Sequence, residues 1–122
     1  MDSTTRNIII FIVVFFLLKF FLGGKVDKDA DLSALIASGA LLIDVRTPGE
    51  FSGGHVKGAI NIPVGGIATG IQKKAKDKSK PIIVYCHSGA RSGAAKKALL
   101  SAGYTNVINA GSFHRIRSIL GH

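Results

Sequence analysis

The residues best suited to chemistry lie between positions 86 and 92, where the chain reads Cys-His-Ser-Gly-Ala-Arg-Ser. Cys86 is the only cysteine among 122 residues, which excludes an internal disulfide and a cysteine-rich zinc site. A lone cysteine at the end of a strand is commonly just a small buried hydrophobic residue. The nearby Gly89 and Arg91 favour a nucleophile instead, because a tight loop and a cation can surround a thiolate or an anion with donors.

The sequence places this loop between a buried strand and a helix. Residues 82–85 form a continuous apolar run, and residues 91–102 favour a helix. Amides of a loop that enters a helix can point inward, and Gly89 permits the positive φ that a tight turn requires. About 2 kcal/mol from a helix terminus and a cation brings a thiol pKa of about 8.5 to neutrality. We therefore expect Cys86 to be a thiolate nucleophile whose substrate is a small anion.

The rest of the chain alternates between apolar runs and helix-like stretches. Further strands are predicted at 41–45, 59–62 and 106–109, and further helices at 31–38, 66–78 and 112–120. This alternation predicts an α/β fold, a doubly wound parallel sheet flanked by helices on both faces. Ligands of such sheets bind beyond the carboxyl ends of the strands, which is where Cys86 lies.

One apolar segment precedes this pattern. Residues 8–22 are apolar except for Lys19, and as a helix they measure about 22 Å against roughly 30 Å of hydrocarbon. We expect residues 1–24 to be one N-terminal hydrophobic helix, a transmembrane anchor or signal-like segment, and residues 25–122 to be the folded domain. A cleaved signal and a helix buried in the domain core are the alternatives. Arg6 flanks the segment on one side and Lys25 and Lys28 on the other, so the flanking charges do not decide which side of the membrane carries the domain.

Three stretches in order resemble the rhodanese family, most closely the small single-domain thiosulfate sulfurtransferases of bacteria. They are Leu-Ile-Asp-Val-Arg-Thr-Pro-Gly-Glu-Phe at 42–51, Gly-His-Val-Lys-Gly-Ala-Ile-Asn-Ile-Pro at 54–63, and Val-Tyr-Cys-His-Ser-Gly-Ala-Arg-Ser at 84–92. The resemblance covers residues 30–116. The chain departs from the family's pattern at Ile116, where the family usually has tryptophan.

The resemblance implies a reaction. In the family, the cysteine takes the outer sulfur of thiosulfate, releases sulfite, and passes the resulting persulfide sulfur to cyanide or a thiol. On this pattern Cys86 is catalytic, and substrate is bound by the residues that follow it: His87, Ser88, Gly89, Ala90 and Arg91. Arg91 would contact the anion. The resemblance implies no cofactor and no metal. Because there is no second cysteine, the acceptor must come from outside the chain.

The same resemblance, taken with the apolar segment, places the protein in the bacterial inner membrane by a single N-terminal span. A cleaved periplasmic form is the alternative. Function also has alternatives: a membrane-tethered persulfide carrier or interaction module without high turnover, and a phosphatase- or arsenate-type enzyme. Certain phosphatases of similar fold place five residues between cysteine and arginine, whereas residues 87–90 leave only four here. The shorter loop favours sulfur chemistry.

Other polar residues receive structural interpretations. Asp44, Arg46 and Glu50 are expected to form ion pairs and caps near the first strand, and His55 to be a hydrogen-bonded loop residue. For His87, tuning of the thiol and simple exposure to solvent stay equally open. The lysines at 73, 74, 76, 78 and 80 predict a solvated surface, with anionic lipid or substrate steering as alternatives. No motif indicates a nucleic-acid partner.

Overall fold

A computed structural model of the chain describes residues 3–22 and 25–121. The first element is helix α1, Ser3–Leu22. The side chains described in α1, those of residues 3–12, are exposed, so this part of the helix is not packed in a core. The apolar stretch does form a helix, as its composition predicts.

The expected membrane span is not found. Across residues 3–22 and 25–121, no helix is both long and apolar enough to cross a membrane. The prediction of a transmembrane anchor, with the membrane as a partner and the bacterial inner membrane as the location, was therefore wrong.

A parallel sheet of four strands organises residues 25–121. The strands are β1 (Leu41–Asp44), β2 (Ile60–Asn61), β3 (Ile82–Cys86) and β4 (Val107–Ser112), in the order β2-β1-β3-β4. All neighbouring pairs are parallel. Every strand predicted from an apolar run is present, with shifted ends, and β3 lies in the interior of the sheet.

Five further helices surround the sheet. They are α2 (Leu32–Ala37), α3 (Pro48–Ser52), α4 (Ile67–Gly70), α5 (Ala90–Ser101) and α6 (Phe113–Leu120). The continuous helix predicted over 66–78 is wrong: α4 is short and lies between two 3-10 turns, Val64–Gly66 and Ile71–Lys73. Glycines at 65, 66 and 70 explain the interruption, because glycine is a poor helix former.

Alternating side chains of the strands build a core on each face of the sheet. Ile43, Val84 and Cys86 pack with residues of α4 and α5, whereas Ile83 and Tyr85 pack with residues of α2 and α6. Burying one such aliphatic side chain contributes about 1.5–3 kcal/mol. The predicted doubly wound α/β sheet is thus confirmed. At the position where the chain departs from the family pattern, Ile116 is fully buried in the second core.

The end of α4 generates a prediction about packing. A Cβ added to Gly70 would lie 2.7 Å from Ile62 Cγ2, whereas nothing lies within 4 Å of a Cβ at Gly65. We expect Gly70→Ala to lower the free energy of unfolding by about 1–3 kcal/mol, the usual cost of overpacking. The measurement is urea unfolding, with Gly65→Ala as the matched control. Equal stability of the two variants would contradict this account.

Candidate active site

Cys86 is the last residue of β3, at the carboxyl edge of the sheet. The residue is fully buried, and its side chain faces the core that α5 covers. Strands β1 and β4 flank β3 and hold it in register, with Asp44 opposite Tyr85 and Ser112 opposite Cys86. The sulfur is therefore fixed at the edge where parallel sheets bind their ligands.

The loop after Cys86 turns back over the sulfur. Gly89 has φ +100°, in the left-handed region that favours glycine, and it is the N-cap of α5. In this conformation the Gly89 amide donates a hydrogen bond to Cys86 Sγ over 2.9 Å. The buried Ser92 hydroxyl lies 3.5 Å from Sγ and donates to the Gly89 carbonyl over 3.0 Å. The predicted inward-facing amide is thus present at Gly89.

These donors determine the ionisation of the thiol. Burial is the largest single influence on the pKa of Cys86 and raises it. The hydrogen bond between Cys86 Sγ and the Ser92 hydroxyl, and those from the amides of Ser92, Gly89 and Ser88, lower the pKa, and together they outweigh burial. The pKa of the thiol is consequently lower than its ordinary value, which favours the thiolate.

The residues predicted to bind substrate contribute unequally. The side chains of His87, Ser88 and Ala90 are exposed, while Gly89 is buried beneath them. Because backbone amides donate the hydrogen bonds to the sulfur, the side chains at 87, 88 and 90 are not needed for these bonds and face solvent. Of the two roles left open for His87, the structure shows the exposed position.

Arg91 makes a different contact from the one expected. Its guanidinium pairs with Glu50 through two hydrogen bonds, of 2.6 and 2.9 Å, instead of standing as an uncompensated cation for an anion. Glu50 raises the pKa of Arg91 most, and the charge of Cys86 raises it further. Arg91 therefore lies within electrostatic reach of the sulfur while it ties the loop to α3.

Glu50 has a second task at the start of α3. It completes a capping box with Thr47, whose side chain accepts from the Glu50 amide. Hydrogen bonds from Arg91 are the main cause that lowers the pKa of Glu50 to about 2, and those from Thr47 add to the effect. The sequence interpretation of Glu50 as a capping residue holds, but its partnership with Arg91 was missed because 41 positions separate them.

The remaining polar predictions concern positions beside the loop. Asp44 and Arg46 form a buried ion pair of 2.7 Å, as expected, and Arg46 also donates to the Gly54 carbonyl. His55 hydrogen-bonds the Phe51 carbonyl through Nδ1 and stacks on the Phe51 ring. These contacts agree with the structural interpretation of the three residues.

The lysine cluster lies at the other edge of the sheet. Lys80 closely precedes β3, and its Nζ donates to the Gly39 carbonyl just before β1. Lys78 donates to the Ala102 carbonyl and lies over the Tyr104 ring. These contacts place Lys78 and Lys80 at the amino-terminal edge of the strands, whereas Cys86 lies at the carboxyl edge.

Comparison with known proteins identifies relatives of the chain. The family described as "Rhodanese-like domain" matches residues 28–117. Thiosulfate sulfurtransferase PspE of Escherichia coli is 45% identical over 74 residues, which cover 61% of this chain and 71% of that protein. The putative sulfur carrier protein YrkF of Bacillus subtilis is 32% identical over 87 residues, covering 70% of this chain and 40% of that protein.

Solved structures agree with the sequence relatives. One described as a rhodanese with anions from E. coli has a TM-score of 0.61 at 42% identity, covering 63% of this chain and 91% of that chain. A human single-domain sulfurtransferase has a TM-score of 0.63 at 29% identity, covering 72% and 90% of the two chains. The chain thus shares sequence and fold with proteins named for sulfur transfer.

The hydroxyl beside the sulfur generates a second prediction. Once Cys86 is ionised, the Ser92 hydroxyl can turn its proton from the Gly89 carbonyl to the sulfur 3.5 Å away. Ser92→Ala removes this donor, so we expect the pKa of Cys86 to rise. Alkylation of Cys86 by iodoacetamide at pH 7 should slow by about threefold to tenfold, because the thiolate is the reacting form. Ser101→Ala, the same substitution at the exposed end of α5, is the control. An unchanged pH profile in Ser92→Ala would contradict the assigned role of the hydroxyl.

The ion pair across the loop generates a third prediction. The folded-state pKa of Glu50 is about 2, below its ordinary value of 4.5. A depressed carboxyl pKa stabilises the fold above the ordinary value, and this stabilisation is lost as pH falls toward 2. We expect the excess stability of wild type over Glu50→Gln to shrink between pH 5 and pH 2 in chemical unfolding experiments. A difference that stays constant over this range would show that the pair contributes nothing.

Proposed function

Because this chain belongs to the rhodanese family and the relatives described above are named for sulfur transfer, we propose that Cys86 is the residue that carries the transferred sulfur. The observation that carries this proposal is the 2.9 Å hydrogen bond from the Gly89 amide to a buried sulfur. A sulfur that is held by donors and has a lowered pKa is prepared for nucleophilic attack.

Thiosulfate is the proposed donor. The Cys86 thiolate attacks the outer sulfur of thiosulfate, a sulfur–sulfur bond forms to Cys86, and the bond to the sulfite group breaks. Sulfite leaves with the electron pair, and the cysteine becomes a persulfide anion. The Gly89, Ser88 and Ser92 donors that stabilise the thiolate also suit the negative persulfide. A similar structure is described as a rhodanese with anions, which supports an anionic substrate.

The acceptor is proposed to be cyanide or an external thiol. Cyanide attacks the outer persulfide sulfur, thiocyanate leaves, and the Cys86 thiolate returns for the next cycle. An external thiolate can take the same sulfur as its own persulfide. Since the chain holds one cysteine, no second thiol of its own can resolve the intermediate.

We also propose residues 25–122 as the sulfurtransferase domain, with residues 1–24 as a separate segment. The contacts of Asp27 support this boundary: its amide donates to the Asn109 carbonyl over 2.9 Å, and its carboxylate accepts from the Asn109 amide over 2.7 Å. These bonds join the chain to β4 immediately after the apolar segment.

A persulfide carrier without high turnover is the second candidate. Similarity to the putative sulfur carrier YrkF supports it, and so does the complete burial of Cys86, which would protect a persulfide between partners. Phosphate chemistry is disfavoured, since the guanidinium that a phosphate would need is paired with Glu50.

The fourth prediction concerns the sulfur itself. After treatment with thiosulfate, the intact mass of the chain should rise by one sulfur atom, and Cys86→Ser should gain none. Steady-state turnover of thiosulfate with cyanide then separates an enzyme from a carrier, and hydrolysis of an aryl phosphate should be absent. No mass gain in the wild-type chain would overturn the proposal, as would an equal gain in Cys86→Ser.

A further inference from the structure

A short segment outside the family match lies against the sheet close to the loop. Residues 25–27, which we term the strap, run beside β4 and precede the matched region 28–117. The Asp27 amide donates to the Asn109 carbonyl over 2.9 Å, and the Asp27 carboxylate accepts from the Asn109 amide over 2.7 Å. The Asn109 side chain also donates to the Lys25 carbonyl over 3.3 Å. The strap is therefore joined to β4 by main-chain and side-chain hydrogen bonds.

The strap also reaches the helix that follows the loop. The same Asp27 carboxylate oxygen forms an ion pair of 2.8 Å with Lys96 of α5. One carboxylate thus joins β4 to α5, the strand that pairs with β3 and the helix that begins at the loop. These bonds hold the strap against the last strand and against the helix that follows the loop.

Val26 fills the space beside Gly89 of the loop and Gly111 of β4. Its methyl groups lie 3.1 and 3.3 Å from where a Cβ on Gly111 would lie, and 3.8 Å from the Cβ position of Gly89. Both glycines have positive φ and no side chain to hold them in place. Val26 occupies the space beside them, so a substitution at Gly111 would displace it.

Gly111 lies at an irregular part of the sheet. The pairing of β3 with β4 shifts between Val84 and Tyr85, after which Tyr85 pairs with Gly111 and Cys86 with Ser112. The Gly111 amide donates to the buried Asn109 side chain over 3.0 Å. Asn109 therefore links the strap to the bulge beside Cys86.

We propose that Val26 and Asp27 are positioning residues, which hold the Cys86 loop in the conformation that directs the Gly89 amide at the sulfur. The proposal deepens the proposed function, because it concerns the same sulfur. Val26 acts by packing on Gly89 and Gly111, and Asp27 acts by fixing the strap to Asn109 and Lys96. Neither residue touches the reacting sulfur in this role.

The test uses the full-length chain and two substitutions, Val26→Ala and Asp27→Ala. If the strap positions the loop, each variant weakens the Gly89 hydrogen bond, and iodoacetamide should alkylate Cys86 about threefold to tenfold more slowly at pH 7. The full pH profile of the alkylation rate should shift toward higher pH. General destabilisation of the fold would instead expose the sulfur and accelerate alkylation.

Charge alone gives the opposite sign for Asp27. The substitution removes one negative charge and leaves the charge of Lys96 without this partner. The electrostatic potential at the sulfur becomes more positive, which favours a thiolate. The charged and titratable groups near the loop are Arg91 with its partner Glu50, the Asp44–Arg46 pair, His87, and Arg115, which lies beside Gly111. All of them are unchanged in these variants. Slower alkylation in Asp27→Ala therefore reports the position of the loop.

Two further variants complete the design. Asp27→Asn retains an oxygen that can accept from the Asn109 amide, so it should restore most of the wild-type profile. Val107→Ala removes the same methyl groups as Val26→Ala from a buried residue at the opposite end of β4, and it should lower stability without moving the profile. Wild-type profiles in Val26→Ala and Asp27→Ala, or an equal shift in Val107→Ala, would overturn the proposal.

Mass gain after thiosulfate treatment is recorded on the same samples. If the wild-type chain gains no mass, the proposed function is rejected, while the alkylation profiles still decide the role of the strap. Mass gain in every variant together with unshifted profiles would reject the strap alone.

Discussion

A sulfur atom removed from water can ionise only if other donors replace the lost solvent. Cys86 is fully buried, which by itself raises the pKa of the thiol and opposes the thiolate. The Gly89 amide at 2.9 Å and the Ser92 hydroxyl reverse this effect. The fold must therefore hold a few donors at fixed positions around one atom, and several of its features serve that requirement.

The donors are held from three sides. Parallel pairing of β3 with its neighbours fixes the sulfur, and the left-handed Gly89 directs its amide back onto it. The ion pair between Glu50 and Arg91 ties the start of α5 to α3. Asp27 ties the same helix to the last strand. A persulfide needs the same donors as the thiolate, so this arrangement suits a sulfur that is loaded and unloaded repeatedly.

The sequence predicts the parts of this site that depend on local pattern. The apolar run that ends at Cys86 and the glycine before a helix give the strand, the turn and the inward amide. The partner of Arg91 could not be predicted, because Glu50 is 41 positions away and is also explained as a cap. The bond from Asn109 to Asp27 spans 82 positions and leaves no local signal. The apolar composition of residues 8–22 predicts the helix that forms there but does not establish a membrane span, since no helix of the described residues is long and apolar enough for one.

The most direct measurement is the pKa of the Cys86 thiol in the folded chain and in the same chain unfolded in urea. The difference in ultraviolet absorbance between the wild-type chain and Cys86→Ser reports both values, since the chain has one cysteine and the subtraction removes the contribution of its two tyrosines. We expect a lower pKa in the folded chain, because the loop donors outweigh burial. A folded-state pKa equal to or above the unfolded one would contradict it.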